Sequence, residues 1–150
     1  MSETATHERP RVMVVDDHLS MAEMLADGLN DNGFEAVALA SSGEAATRLG
    51  ENSCDALVTD LRMPHIDGME LLKISRVLAP ERPVIVMTAY SAIEGAIESI
   101  RQGAFYYLTK PFKLDELVLF LNRALEASRI RREAVSSQGT HRSRVRTGGT

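Results

Sequence analysis

The stretch CDALVTDLRMP, residues 54–64, is a short apolar run that ends at a carboxylate. Residues 56–58 are predicted to form the buried middle of a strand, because uninterrupted aliphatic residues over so few positions are typical of a parallel strand covered on both faces. Asp60 then lies where the strand ends. Pro64 prevents a helix from beginning at once, so Asp60 should open a loop at the edge of the sheet. A carboxylate there can serve as a nucleophile or a metal ligand, or simply cap a turn.

Four other aliphatic runs are also predicted strands, and apolar residues at helical spacing between them predict helices. These four runs cover residues 11–15, 34–39, 84–87 and 105–108, and the central run is the fifth strand. The chain is therefore read as (βα)5. Such alternation predicts an α/β fold, doubly wound, with a five-stranded parallel sheet, right-handed crossovers and helices on both faces.

Composition places the chain among ordinary globular proteins, since 44% of its 150 residues are hydrophobic and 25% are charged. Its apolar runs are far shorter than the ~20 residues that a membrane helix needs. Residues 1–10 contain acids and no apolar core, so we expect a disordered arm and neither a signal nor a transit peptide. The single cysteine, Cys54, cannot form an internal disulfide and suits a reducing cytoplasm, with a core thiol expected.

Charge is distributed unevenly along the chain. Residues 1–128 contain 11 Lys and Arg against 20 Asp and Glu, a net charge of −9, whereas residues 129–150 contain six Arg and one Glu, a net of +5. We therefore expect no direct nucleic-acid binding by residues 1–128. Because apolar residues almost disappear near the end, one domain is predicted over residues 11–131, and residues 132–150 are predicted to be a flexible basic tail or linker.

Polar side chains follow four of the predicted strands, at the point where each strand ends. Asp16 and Asp17 follow the first strand, Asp60 ends the third, Thr88 the fourth, and Lys110 follows the fifth. In a parallel sheet every carboxyl end lies along the same edge. The sequence therefore predicts that all five residues meet at one rim.

Three carboxylates at one rim repel each other by roughly 4 kcal/mol per pair at ~4 Å, for an effective dielectric near 20. Lys110 offers one positive charge, and a small divalent metal would supply the rest. His18 is expected on the first exposed turn of the next helix, so the ligands are hard oxygens, which select Mg²⁺ or Mn²⁺ over Zn²⁺. With the Thr88 hydroxyl, this set suits a phosphoryl group, and an attacking aspartate would form an aspartyl phosphate.

This set of residues resembles the receiver domain of two-component response regulators, over about residues 11–130. The matching elements are Asp16-Asp17, Asp60 with Met63-Pro64 and Gly68, Thr88-Ala89, and Lys110-Pro111-Phe112. The stretch at residues 87–112, MTAYSAIEGAIESIRQGAFYYLTKPF, is most similar to receivers of the nitrogen-regulation class. Members of that class often precede an ATPase that activates transcription and a DNA-binding helix-turn-helix. The resemblance also implies the flavodoxin-like strand order 2-1-3-4-5.

The resemblance implies a role for each acidic residue. Asp60 would accept a phosphoryl group from a histidine kinase. Asp17, Asp60 and the backbone carbonyl of Arg62 would bind Mg²⁺, and Asp16 would assist through water. Lys110 would pair with the phosphoryl oxygens.

The resemblance further implies a conformational switch. Thr88 would move to hydrogen-bond the phosphoryl group, and Tyr107 would be the switch aromatic that turns inward with it. The change would bias a surface formed by the fourth helix, the fifth strand and the fifth helix. Lys110-Pro111 is expected to be a cis peptide. Arg62 and Tyr90 are expected to shield the acyl phosphate from water and to slow its hydrolysis.

Residues 117–121, LVLFL, are consecutive apolar residues on a predicted helix, so they cannot all face the core. Leu119 and Phe120 are expected to point outward. They could belong to a partly covered surface patch, but we favour a protein contact, a homodimer through this face.

The resulting prediction is a cytoplasmic phosphorylation-controlled switch that is not an enzyme and that controls a partner or an output domain, with transcription as the expected output. One alternative is a stand-alone receiver that signals by protein contact. Another is a receiver that no longer accepts phosphate. A third is a phosphatase of the haloacid dehalogenase type, but that family needs a second Asp where this chain has Arg62.

Overall fold

The computed structural model describes the backbone of residues 9–89 and 93–149, and the side chains of residues 9–89 and 94–134. Within these residues, strands and helices alternate five times, as the sequence predicts. The elements are β1 (Arg11–Val15), α1 (Leu19–Asn30), β2 (Glu35–Leu39), α2 (Ser42–Gly50), β3 (Ala56–Asp60), α3 (Gly68–Leu78), β4 (Val84–Thr88), α4 (Ile93–Arg101), β5 (Tyr106–Thr109) and α5 (Leu114–Gly149).

The five strands form one parallel sheet in the order β2-β1-β3-β4-β5, which confirms the predicted topology. The strand order reverses between β1 and β3, where the chain crosses from one half of the sheet to the other. In doubly wound folds, ligands bind in the crevice at the carboxyl ends of the strands at this reversal. The residues after β1 and at the end of β3 flank that crevice.

Each face of the sheet buries its own apolar core, because side chains along a strand point alternately to opposite faces. In β1, Val12 and Val14 pack toward α1 and α5, whereas Met13 and Val15 pack toward α2 and α3. The central strands β3 and β4 are buried along their whole length, as their continuous aliphatic runs predict. The edge strands β2 and β5 contain both buried and exposed residues.

The structure corrects one expectation on α5. Leu119 is exposed as predicted, at 46% of its surface, but Phe120 does not point freely outward. Phe120 is half-buried, and its ring stacks on Tyr106 of β5 with centroids 3.8 Å apart and planes 15° apart. Aromatic stacking of this kind adds about 0.5–1.5 kcal/mol beyond area burial, and it attaches α5 to the edge of the sheet.

The backbone of α5 continues past residue 131, where the sequence placed the end of the domain. Side chains after residue 134 and all of residues 1–8 lie outside the described part of the chain. The flexible tail at residues 132–150 and the disordered arm at residues 1–10 therefore stay predictions. Among the described residues, no helix combines the length and the apolar character that crossing a membrane requires.

An ion pair at the amino edge of the sheet joins β1 to the segment before β3. The Arg11 guanidinium donates to both carboxylate oxygens of Asp55, at 3.3 and 3.2 Å, and the Arg11 backbone N–H donates to Oδ2 at 2.8 Å. Burial acts to raise the pKa of Asp55, but the hydrogen bonds and charge of Arg11 outweigh it and hold that pKa below its ordinary value.

We expect Asp55→Asn to lower the free energy of unfolding at pH 7 by roughly 0.5–1 kcal/mol, as for other partly exposed ion pairs. Because the folded pKa is depressed, the stabilisation is complete above the unfolded pKa of about 4 and is lost as pH falls through the folded value. Urea unfolding of wild type and Asp55→Asn between pH 8 and 3 checks this, with the exposed Asp27→Asn as control. A difference that already disappears at pH 5 would contradict it.

Candidate functional site

The predicted rim residues do lie at the carboxyl edge of the sheet. Asp16 and Asp17 follow β1, Asp60 and Thr88 are the last residues of β3 and β4, and Lys110 directly follows β5. The parallel registers place these strand ends side by side, with Asp60 opposite Met87 and Thr88 opposite Thr109.

Lys110 connects two of the acidic residues. Its Nζ lies 2.7 Å from Oδ2 of Asp16 and 3.2 Å from Oδ2 of Asp60. The Asp16 side chain is fully buried, and those of Asp60 and Lys110 are only 10% and 16% exposed. The Lys110 backbone N–H donates to the carbonyl of Thr88 at 2.7 Å, and the Lys110–Pro111 bond is cis, as expected. The ammonium therefore lies between two carboxylates that come from different strands.

The electrostatics of this trio are uneven. Burial raises the pKa of Asp60, and the charge of Asp16 adds to that effect, while Lys110 opposes it without fully cancelling it. For Lys110, burial acts to lower the pKa, but the hydrogen bond that it donates to Asp16 and the charge of Asp60 outweigh burial, so the pKa is raised. The lysine therefore stays protonated at neutral pH, and the negative charge on Asp60 is only partly compensated.

His18 lies closer to the acidic residues than the sequence suggested. It is 78% exposed at the N-cap of α1, as expected, but its Nδ1 lies 3.4 Å from Oδ1 of Asp16 and 3.5 Å from Oδ1 of Asp17. Its backbone N–H also donates to Oδ1 of Asp16 at 3.0 Å. One possible ligand atom of each of the three residues lies within 4.8 Å of the others. Adjacency in the sequence was the only signal for this arrangement.

The two proposed switch residues occupy different depths. Thr88 is fully buried at the end of β4. Tyr107 is half-buried and packs against the core on the α2 and α3 face. Its hydroxyl lies 3.8 Å from the place where a Cβ on Gly95 of α4 would be. Burial raises the pKa of the Tyr107 hydroxyl, with the charge of Arg62 acting in the opposite direction.

Gly68 is the first residue of α3. The side chain of Asp67 caps this helix, and Glu70 completes the capping box. A Cβ on Gly68 would lie 2.1 Å from the backbone oxygen of Asp60 and 2.8 Å from Cα of Leu61. Only glycine permits this approach, so α3 begins in direct contact with the backbone that carries Asp60.

Backbone hydrogen bonds attach the loop after Asp60 to β4 and to the start of α3. The Leu61 backbone N–H donates to the carbonyl of Met87 at 2.8 Å, and the Gly68 N–H donates to the carbonyl of Leu61 at 2.8 Å. Arg62, whose carbonyl is a predicted metal ligand, follows in this loop and is exposed. Tyr90, the other residue expected to shield the site, lies outside the described residues.

Residues 12–122 match the response regulator receiver domain family. The chain belongs to this family. The receiver domain is 40% identical over 124 residues to the regulatory protein AtoC of Escherichia coli strain K12, covering 82% of this chain and 27% of that protein. It is 39% identical over 118 residues to the DNA-binding transcriptional regulator NtrC of the same strain, covering 79% and 25%. The chain thus spans about a quarter of the length of these relatives.

Solved structures agree with this assignment. The receiver domain of the Francisella response regulator 1452 superposes with a TM-score of 0.75 at 34% identity, covering 80% of this chain and 99% of that one. NtrX from Brucella abortus, solved in complex with ATP, gives a TM-score of 0.78 at 31% identity, covering 83% and 29%. These similarities confirm the resemblance to receivers of the nitrogen-regulation class.

We expect Gly68→Ala to destabilise the receiver domain by about 3 kcal/mol, because the added methyl group meets backbone atoms that cannot move aside as a flexible side chain can. Gly50→Ala is the matched control, since a Cβ at that position on α2 meets nothing within 4 Å. It should change stability by less than about 1 kcal/mol. Urea unfolding of both variants measures the difference, and equal effects would contradict the close approach.

Proposed function

We propose that this receiver domain is a phosphorylation-controlled switch, and that Asp60 is the residue that accepts a phosphoryl group from a histidine kinase. The observation that carries the proposal is the position of Lys110, whose ammonium lies between Asp16 and Asp60 at the crevice of the sheet. From this position the Lys110 ammonium can release the carboxylate oxygen of Asp60 and pair with a phosphoryl oxygen instead, without leaving the pocket.

The proposed reaction is a direct displacement at phosphorus. A carboxylate oxygen of Asp60 forms the new O–P bond as the P–N bond of the kinase phosphohistidine breaks, and the imidazole leaves. Lys110 balances charge on the phosphoryl oxygens. The hydroxyl of Thr88, buried at the end of the neighbouring strand, is the proposed second donor to them. Phosphoryl transfer of this kind needs little covalent chemistry from the protein, and it depends mainly on the alignment of the two reactants.

The residues present fit a divalent cation. Asp16, Asp17 and Asp60 bring three negative charges against the one positive charge of Lys110, and carboxylate oxygens are the ligands that Mg²⁺ prefers. We propose that these three residues and the backbone carbonyl of Arg62 hold Mg²⁺. When bound, the ion would neutralise charge on the phosphoryl group and its attacking oxygen.

We propose that the signal leaves through α4, β5 and α5. Tyr107 supports this route, because its hydroxyl lies beside Gly95 of α4 while β5 is hydrogen-bonded to the end of β4. The same face exposes apolar side chains that a second copy could cover. They are Ile97 and Ile100 on α4, Tyr106 on β5 and Leu119 on α5. A homodimer through this face is the proposed phosphorylated state.

The output is proposed from the relatives. Two of them are named as a regulatory protein and a DNA-binding transcriptional regulator, and each is several times the length of this chain. We propose that the switch controls transcription in the cytoplasm, with no substrate of its own.

We expect acetyl phosphate with Mg²⁺ to phosphorylate the wild-type protein once, and Asp60→Asn to remain unlabelled because its amide oxygen is a poor nucleophile. Intact-protein mass spectrometry gives the readout. Asp27→Asn, an exposed change on α1, should label as wild type does, and chelation of the metal should abolish labelling. Label on Asp60→Asn would refute the proposed phosphoacceptor.

We expect Leu119→Glu to weaken dimerisation of the phosphorylated protein at least tenfold, because it puts a charge into the apolar face of α5. Sedimentation velocity over a concentration series measures this. Val77→Glu, at a residue of α3 that is 81% exposed, is the matched control and should dimerise normally. The proposed face is wrong if only the Val77 variant loses the dimer.

A further inference from the structure

Arg82 is buried at the opposite edge of the sheet from Asp60. It precedes β4 by two residues and is only 4% exposed. Its Nε donates to the hydroxyl of Ser75 on α3 at 2.9 Å. Both terminal nitrogens, Nη1 and Nη2, are buried and have no hydrogen-bond partner among the described residues. Four N–H groups of a charged guanidinium are therefore left unsatisfied.

An unpaired buried charge of this kind is costly, because it loses its hydration and gains no counterion. Two neighbours could supply negative charge. Glu81 is adjacent in the chain but forms no ion pair with Arg82 among the described contacts. Cys54 lies beside Arg82, whose charge and side-chain contact act to lower the pKa of the thiol, but burial outweighs them and raises that pKa, so the thiol stays neutral at physiological pH. Neither residue gives the guanidinium a negatively charged partner.

A cavity of about 450 Å³ adjoins Arg82, and most of the charged side chains that line it are positive. Three arginines, Arg76, Arg82 and Arg131, face one acid, Glu81, which gives the lining a net charge of +2. The arginines come from α3, from the loop before β4 and from α5, so they approach the cavity from three separate elements.

Arg76 is held in place at this cavity by Gly103, which also lines it. Gly103 has a φ of +108°, and a Cβ there would lie 2.4 Å from Nε of Arg76. The absence of that Cβ lets the arginine lie against the backbone, where Nη1 also donates to the carbonyl of Pro80 at 2.7 Å. Arg76 therefore has a defined position in the cavity wall.

A second cavity, of about 460 Å³, lies on the other side of Arg82. Its lining includes Arg11 and Arg132, but Arg11 is already paired with Asp55. The charge there is closer to balance, so the first cavity is the better place for an anion.

We propose that the cavity lined by Arg76, Arg82 and Arg131 binds a tetrahedral dianion, either inorganic phosphate or the phosphoryl group of a small molecule. A charge of −2 matches the lining, and donors arriving from three elements suit a tetrahedral anion better than a planar carboxylate. The bound group would link α3 to α5 on the side of the domain away from Asp60. This site is separate from the phosphoacceptor site and does not depend on it.

The test is a titration of the whole 150-residue chain with inorganic phosphate in the presence of EDTA, with sodium chloride adjusted to keep ionic strength constant. The wild-type protein should show saturable NMR shifts of the Arg82 Nε–H signal and of the amides of residues 76–83 and 103–105. Its thermal midpoint should rise along the same binding curve. Arg82→Met should weaken the affinity at least tenfold. Arg123→Met, which removes an exposed charge of α5 outside the cavity, should bind within twofold of wild type.

Arg131→Met gives an independent test at the exposed rim, in case the change at Arg82 disturbs packing, and should weaken binding at least threefold. Glucose 6-phosphate as a second probe distinguishes the two sources of the anion, and tighter binding than phosphate would identify a phosphorylated metabolite. Shifts confined to residues near Asp60, no saturable shifts, or equal affinities in wild type and both cavity variants would overturn the proposal. Labelling of Arg82→Met by acetyl phosphate, expected at the wild-type level, keeps this outcome separate from the proposed function.

Discussion

The ammonium of Lys110, held between Asp16 and Asp60, is the interaction on which the rest of the site depends. Two buried carboxylates at one edge of a sheet are stable only if a positive charge lies between them, and that charge comes from the strand farthest along the chain. Because all the strands are parallel, the ends of β1, β3 and β5 can contribute to one crevice. The hydrogen bond from the Lys110 backbone N–H to the carbonyl of Thr88 fixes the backbone position from which the lysine side chain extends.

Lys110 compensates the negative charge of the pocket only in part. Two carboxylates contact one ammonium, a third carboxylate, that of Asp17, lies beside Asp16, and the pKa of Asp60 is raised by burial despite its contact with lysine. Such a pocket favours an added cation. Gly68 and the capping box of α3 support the same pocket, because they hold the start of α3 against the backbone of Asp60.

Much of the fold and of the site could be predicted from the sequence because both follow from short-range patterns. Five aliphatic runs separated by helical periodicity specify a parallel sheet, and parallel strands place Asp60, Thr88 and Lys110 at one edge. Features that depend on tertiary packing could not be predicted in this way. Phe120 stacks on Tyr106 across two elements, and the unpaired guanidinium of Arg82 has no signature in the residues beside it.

The contact between Lys110 and Asp16 joins residues that are 94 positions apart. During synthesis β1 leaves the ribosome first among the strands, and β5 leaves it last. An incomplete chain contains the carboxylates of the first and third strands but not the ammonium that lies between them. The crevice is therefore complete only after the last strand has joined the sheet.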